Sequence, residues 1–190
     1  MRVAWLILLA GCYRSTPQSA PLANKTEGTG GPALLTMTAH GVGPIDSTTK
    51  ATLTNLRSIM IGYEVKPIND GSLQFDIFRG GERLAYVVPD DQSGYVFNVH
   101  AVSSSVEVNG HPWRVGRAFG DAVHLTNCEC WGPNPTCYAT GDHLAVNFNR
   151  ECNELTGSDP RVLRQLNGEI VQRVIWSPTA FGEENGEMND

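Results

Sequence analysis

The sequence has no apolar run long enough to cross a bilayer as a helix, which takes about 20 residues; its one early apolar stretch, Val3 to Ala10, stops at Gly11. Basic charge is also scarce, with 14 Lys and Arg against 20 Asp and Glu and a formal net charge of −6 among 190 residues. Nucleic-acid binding needs a basic face that displaces counterions, so no nucleic-acid partner is expected. A polybasic membrane-surface site is excluded on the same ground. The Gly-Lys-Ser/Thr ending of a phosphate loop is missing, as are the Gly-x-Ser-x-Gly elbow of serine hydrolases and the Cys-x-x-Cys pair of redox enzymes. Gly41-Val42-Gly43 therefore reads as a turn between elements, and Ser103-Ser104-Ser105 as a polar strand edge. No repeat, heptad or second domain is visible, and the length suits one domain.

What is present begins at the amino terminus. Met1-Arg2, the apolar stretch, and small Ala10-Gly11 before Cys12 describe a secretory signal. The tetrad Leu9-Ala10-Gly11-Cys12 resembles the bacterial lipobox, in which the Cys thiol receives diacylglycerol, the preceding residues are removed and the new amino terminus is acylated. Residues 1–11 are thus expected to be a lipoprotein signal peptide, and Cys12 the lipidation site. Two or more acyl chains, at about 0.8 kcal/mol per buried methylene, would hold the protein to a membrane. The alternative is an ordinary signal followed by a free or disulfide-bonded Cys12. Tyr13 stands where enteric-type sorting places the Asp that retains lipoproteins at the inner membrane, which favours the outer one. Residues 12–32 are too poor in large apolar side chains to offset their ordering entropy and read as a flexible tether. Residues 181–190 read as an acidic disordered tail, leaving 33–180 as the folded domain.

Inside those limits, period-two alternation dominates, the mark of half-buried strands. Tyr63 and Val65 precede an Asp70-Gly71 hairpin turn, and Leu73, Phe75 and Ile77 follow it. Leu84, Tyr86 and Val88 continue the series, then Tyr95, Phe97 and Val99 after the turn at Asp90–Gly94, then Val106 and Val108 before Asn109-Gly110. An antiparallel meander is expected. Leu144-x-Val146-x-Phe148 and Ile170 through Val174 and Trp176 supply late strands. Helices are fewer. Asp46 or Ser47 can cap one that carries Leu53, Leu56 and Met60 on one stripe. A second is expected from Arg117 through His124, and a third from Asp159-Pro160. The fold class is α+β: an antiparallel sheet with one to three short helices packed on one face.

If Cys12 is lipidated, Cys128, Cys130, Cys137 and Cys152 remain, an even set in an oxidising compartment, which favours disulfides. Cys128 and Cys130, only two residues apart, are not expected to pair with each other, so each is expected to bond Cys137 or Cys152. The rival reading takes the same thiols, with His124, as a zinc site, although Cys-x-Cys lacks the usual two-residue gap. No metal or cofactor is expected. Trp131, in the loop between Cys130 and Gly132-Pro133, is the candidate for contact with an envelope partner, whereas Trp113 and Trp176 read as packing. His40, His100, His111, His124 and His143 are scattered. Asp142-His143 is the one adjacent pair that a periplasmic hydrolase could use, given a nucleophile brought close by the fold.

The order of landmarks carries a further likeness: Gly41-Val42-Gly43-Pro44-Ile45 with Thr48, Ile61-Gly62-Tyr63, Val115-Gly116-x-x-Phe119, paired cysteines, Leu144-x-Val146-x-Phe148 and Ile175-Trp176. Over residues 34–178 this resembles the RpoE-regulated lipoprotein family, an envelope group of unknown function. The resemblance implies an outer-membrane lipoprotein facing the periplasm and made with envelope-stress genes; it brings no catalytic residues. The chain departs from it in the Cys128–Cys137 segment, which carries more cysteines than the likeness leads one to expect. The expected function is a non-enzymatic binding or assembly-support protein, with the hydrolase and a carrier of a small apolar ligand as alternatives.

Overall fold

The computed structural model describes residues 34–69, 73–120, 125–130, 133–152 and 165–183. Cys12, the Asp70-Gly71 turn, His124, Trp131 and the helix expected at Asp159-Pro160 lie outside the described residues.

Strand β1 (Thr36–Thr38) turns back into β2 (Gly41–Val42), helix α1 spans Leu53–Ile59, and β3 (Glu64–Asn69), β4 (Leu73–Arg79), β5 (Glu82–Pro89) and β6 (Val96–Ala101) follow. Then come β7 (Glu107–Val108), β8 (Asn127–Glu129), β9 (Thr136–Tyr138), β10 (Leu144–Phe148) and β11 (Val171–Trp176). Eight strands form one sheet in the order β3-β4-β5-β6-β11-β10-β9-β8, every pair antiparallel. The expected meander thus holds from β3 to β6. The chain then leaves the sheet, re-enters at the far edge as β8, and walks inward until β11 lands against β6. The short β7 is not part of this meander. It pairs parallel with β1, which also pairs with β2, making a three-stranded sheet.

Helix α1 starts later than expected. Asp46 does not cap it. Its Oδ1 accepts from the Thr48 amide and from the hydroxyls of Thr48 and Thr49 at 2.8–3.0 Å, closing a local turn, and Lys50 then bridges Tyr95. The threonines fit that extended path better than a helix, where β-branching is penalised. The actual cap is Thr52, whose side chain accepts from the Asn55 amide. Leu56 and Met60 bury their side chains as the stripe foretold, and Arg57 Nε donates to the Val65 carbonyl at 3.1 Å, fastening α1 to β3.

Residues 117–120, the described part of the second expected helix, are not helical. Their backbone groups are committed across the fold: the Phe119 amide donates to Glu169 at 2.8 Å and the Arg117 carbonyl accepts from Val171 at 3.0 Å. A helical ladder needs those same groups, so the tertiary pairing displaces it.

The strand phases hold for β4, β10 and β11, where Phe75, Ile77, Val146, Phe148, Val174 and Trp176 enter the core. In β5 the expected face is reversed beyond Leu84: Ala85 and Val87 are buried, while Tyr86 and Val88 turn to the other side. A bulge at Val88/Pro89 lets Val96 and Val99 both face inward and leaves Phe97 out, 55 % exposed. Trp176 packs in this core at 1 % exposure, and Trp113 at 2 %, in keeping with their reading as packing residues. Both faces of β10 are covered, since all five of its residues are buried, and Tyr138, Ala145, Ile175 and Phe181 make a small cluster of their own.

Candidate functional site

Alternation on the central strands puts two rows of side chains on the sheet face that carries this second cluster. Direct register aligns Thr136, Asn147 and Arg173 across β9, β10 and β11. A parallel row runs Asp76, Tyr86, His100, Ile175, Ala145 and Tyr138 across six strands. Over the middle of these rows lies a groove of about 620 Å³. Its floor includes Asn98, His100, Thr136, Asn147, Arg173 and Ile175; Pro133 and Asn134 lie on one side, and the segment 177–182 after β11, with Phe181, on another. That volume falls in the range of about 300–1,000 Å³ usual for small-molecule sites.

The polar groups of the floor are held by their neighbours. Asn147 is 5 % exposed in a strand otherwise apolar, and its Nδ2 donates to the Pro135 carbonyl at 3.1 Å and to Thr136 Oγ1 at 3.2 Å. Its Oδ1 is enclosed without a partner. His100 stacks on Tyr86 with ring centres 4.4 Å apart and shares a 2.8 Å hydrogen bond between Nε2 and Asn98 Oδ1. With the carboxamide oxygen accepting, Nε2 carries the proton, and Nδ1 is a second enclosed atom without a partner. Burial, and then the charge of Arg173, push the His100 pKa down to about 3, so the ring is neutral at neutral pH.

Arg173 donates from Nη1 to the Tyr86 hydroxyl at 2.7 Å. Among the described residues it has no carboxylate within 4 Å, whereas Arg83, stacked over the same Tyr86 ring, is paired with Asp76 at 2.7 Å. Among the described residues that line the groove none is acidic. The floor therefore offers one uncompensated cation, neutral amides and a neutral imidazole, beside the apolar surfaces of Phe97, Ile175, Ala180 and Phe181.

The four cysteines pair as Cys128–Cys137 and Cys130–Cys152. Cys128 and Cys137 are register partners on β8 and β9, and the second bond ties the strand end to residue 152, at the far side of β10. All four sulfurs are thereby used, leaving no thiolate for the rival zinc reading. Asp142 and His143 do not face each other as a pair: Asp142 Oδ2 lies 3.3 Å from His111 Nε2, and His143 Nδ1 is 2.8 Å from the Ser177 carbonyl. His111 in turn stacks on Trp113. His40 sits exposed in the β1–β2 turn. Ser103 and Ser105 both donate to the Glu82 carboxylate and so close the bend after β6. Of the described histidines, His40, His100, His111 and His143, only His100 lines the groove. Arg173, Asn147 and Thr136 were not singled out by sequence reasoning, although one polar Asn inside Leu144–Phe148 was a visible irregularity.

No family model matches the chain, and no curated protein matches it. Among solved structures, it is similar to the crystal structure of the uncharacterized protein YfeY from Escherichia coli, with a TM-score of 0.55 and 18% identity over 75% of this chain and 99% of that one. At that identity the likeness is one of fold. It spans nearly all of YfeY, so the overall fold is one that very different sequences reach.

Proposed function

We propose that this chain is a lipid-anchored envelope protein of the binding type, akin to the RpoE-regulated lipoproteins, that holds a small ligand in the groove on its large sheet. The observation that carries the reading is the groove itself: apolar walls converging on Arg173, which has no carboxylate partner among the described residues, with the amide of Asn147 and the neutral ring of His100 in the floor. A concave, mostly apolar cleft with a few convergent polar groups is the usual form of a small-molecule site. The signal-like amino terminus with Cys12, the paired cysteines and the order of sequence landmarks support a periplasm-facing, outer-membrane placement. Tethering would confine the groove near the membrane and raise its effective concentration for whatever it meets there. Binding is favoured over hydrolysis because Asp142 and His143 take separate partners. The Cys128–Cys137 loop bearing Trp131 is the proposed contact for an envelope protein, and an unchanged pull-down after Trp131→Ala would count against that contact.

Native mass spectrometry of protein extracted from its own membrane tests the reading. The expected result is a chain cleaved before Cys12, carrying acyl groups, with part of the population holding an additional small molecule that is lost when Ile175→Trp fills the groove. A full-length, unacylated chain would remove the anchor. A chain with no bound molecule, in wild type and variant alike, would remove the ligand.

A further inference from the structure

Among the described residues that line the groove Arg173 carries the single formal charge, and it has no carboxylate within 4 Å. Arg173 is half-buried, and a guanidinium partly withdrawn from water is costly unless it is paired. Arg173 sits on the central strand β11, and its Nη1 is steadied by the Tyr86 hydroxyl at 2.7 Å. Its neighbour Arg83 has Asp76; among the described residues Arg173 has no such partner. Tyr86 thus fixes the guanidinium in place without neutralising it, which is the arrangement expected of a side chain kept for an anion from outside. The planar fork of Arg suits a carboxylate, with two parallel hydrogen bonds.

The rest of the groove selects further. Ile175 and Phe181 are buried members of the apolar cluster on this face, and Phe97 is an exposed aromatic at the rim. A bare inorganic anion would leave this surface wet. Asn147, directly beside Arg173 in the strand register, has its amide donors turned to Pro135 and Thr136, and its Oδ1 is a lone-pair atom without a donor. His100, one row away, is neutral, and its Nδ1 is likewise enclosed without a partner. One guanidinium among the described lining residues balances one negative charge, which favours a monoanion over a phosphate dianion.

We propose that the groove is a binding site for an amphipathic organic monoanion, its carboxylate paired with Arg173 and its hydrocarbon body lying along Ile175, Phe181 and Phe97. This rests on the reading of the groove as a ligand site and names the chemical class of the ligand.

The test is calorimetric titration of the full chain carrying Cys12→Ser, which removes only the lipidation site. The probes are decanoate, decanol, decyltrimethylammonium and acetate, each below its aggregation concentration. Decanoate is expected to bind at one site at least tenfold more tightly than decyltrimethylammonium or acetate, and Arg173→Met to weaken decanoate at least tenfold while leaving decanol within about threefold. Arg173→Lys, which keeps the charge and loses the fork, should fall between. If Arg173→Met does not fold, the probe series on the parent chain and the Lys variant decide alone. Equal binding of the three ten-carbon probes would overturn the anion assignment and leave the ligand groove standing. Acetate binding as tightly as decanoate would overturn the amphipathic part. Binding of none of the four would overturn the monoanion and the groove reading together.

Discussion

Trp176 donates from its indole Nε1 to the carbonyl of Ala39 at 3.1 Å, joining the innermost strand of the large sheet to the turn between β1 and β2. The two residues are 137 positions apart. Trp176 is almost wholly buried, whereas Ala39 is exposed and the bond between them part-buried. Trp176→Phe keeps an aromatic ring but loses the bond and leaves part of the indole volume empty. The expected loss is about 1–3 kcal/mol, from the lost bond and the cavity together. Equilibrium urea unfolding measures it, and a loss below about 0.5 kcal/mol would mean that this bond does not tie the two sheets.

The same turn depends on Gly41. Its φ is +155°, and a Cβ built there would lie 2.0 Å from the Ile45 carbonyl oxygen, a backbone atom that cannot swing aside. Gly41→Ala is expected to cost at least about 2 kcal/mol, among the larger single-site effects. Gly62 offers the control: its φ is +87° with nothing within 4 Å of a Cβ, so Gly62→Ala carries only the left-handed backbone penalty of about 1–2 kcal/mol. Melting temperatures of the two variants should rank in that order.

His100 makes stability depend on acid. Its folded pKa is pushed down to about 3, against an ordinary value near 6.5 in the unfolded chain. Above pH 6.5 both states hold the ring neutral and the group contributes no slope. Between pH 6.5 and 3 the unfolded chain takes up a proton that the folded one refuses, so stability falls as pH falls. His100→Phe, which keeps a ring to stack on Tyr86, should flatten the stability profile in that interval by up to one proton. Identical slopes for wild type and variant would show that the buried imidazole is not the group responsible.

The Cys130–Cys152 bond closes a loop with a sequence separation of 22 that contains β9 and β10. Replacing both residues by Ser is expected to cost about 2–4 kcal/mol in the oxidised protein while leaving Cys128–Cys137 intact. Thiol blocking before and after reduction gives a separate check: four sites should label only after reduction. Free thiols in the native protein would reopen metal binding at these positions.

Much of the framework could be read from the chain alone, because strand identity is written in local alternation. Phe75 and Ile77, Val146 and Phe148, Val174 and Trp176 announce their buried face without knowledge of any partner, and Leu56 and Met60 do the same for α1. The even cysteine set pointed to the bonds the fold contains. Local pattern failed where a distant segment competes for the backbone. Arg117 and Phe119 pair with residues 169–171 instead of forming a helix, Asp46 closes its own turn, and a bulge between Val88 and Pro89 shifts which side of β6 faces inward.

The groove belongs to the other category. Sequence by itself determined that Arg173, Asn147 and His100 each sit in a strand. Only tertiary structure decided that β11 would lie between β6 and β10, setting Arg173 beside Asn147 and Ile175 beside His100. That placement is long-range, since β6 and β11 are separated by four other named strands, and it rests on their shared burial of Val99, Ala101, Val174 and Trp176. A charge without a counter-ion is a property of such a neighbourhood, created when strands remote in sequence bring their side chains to one face.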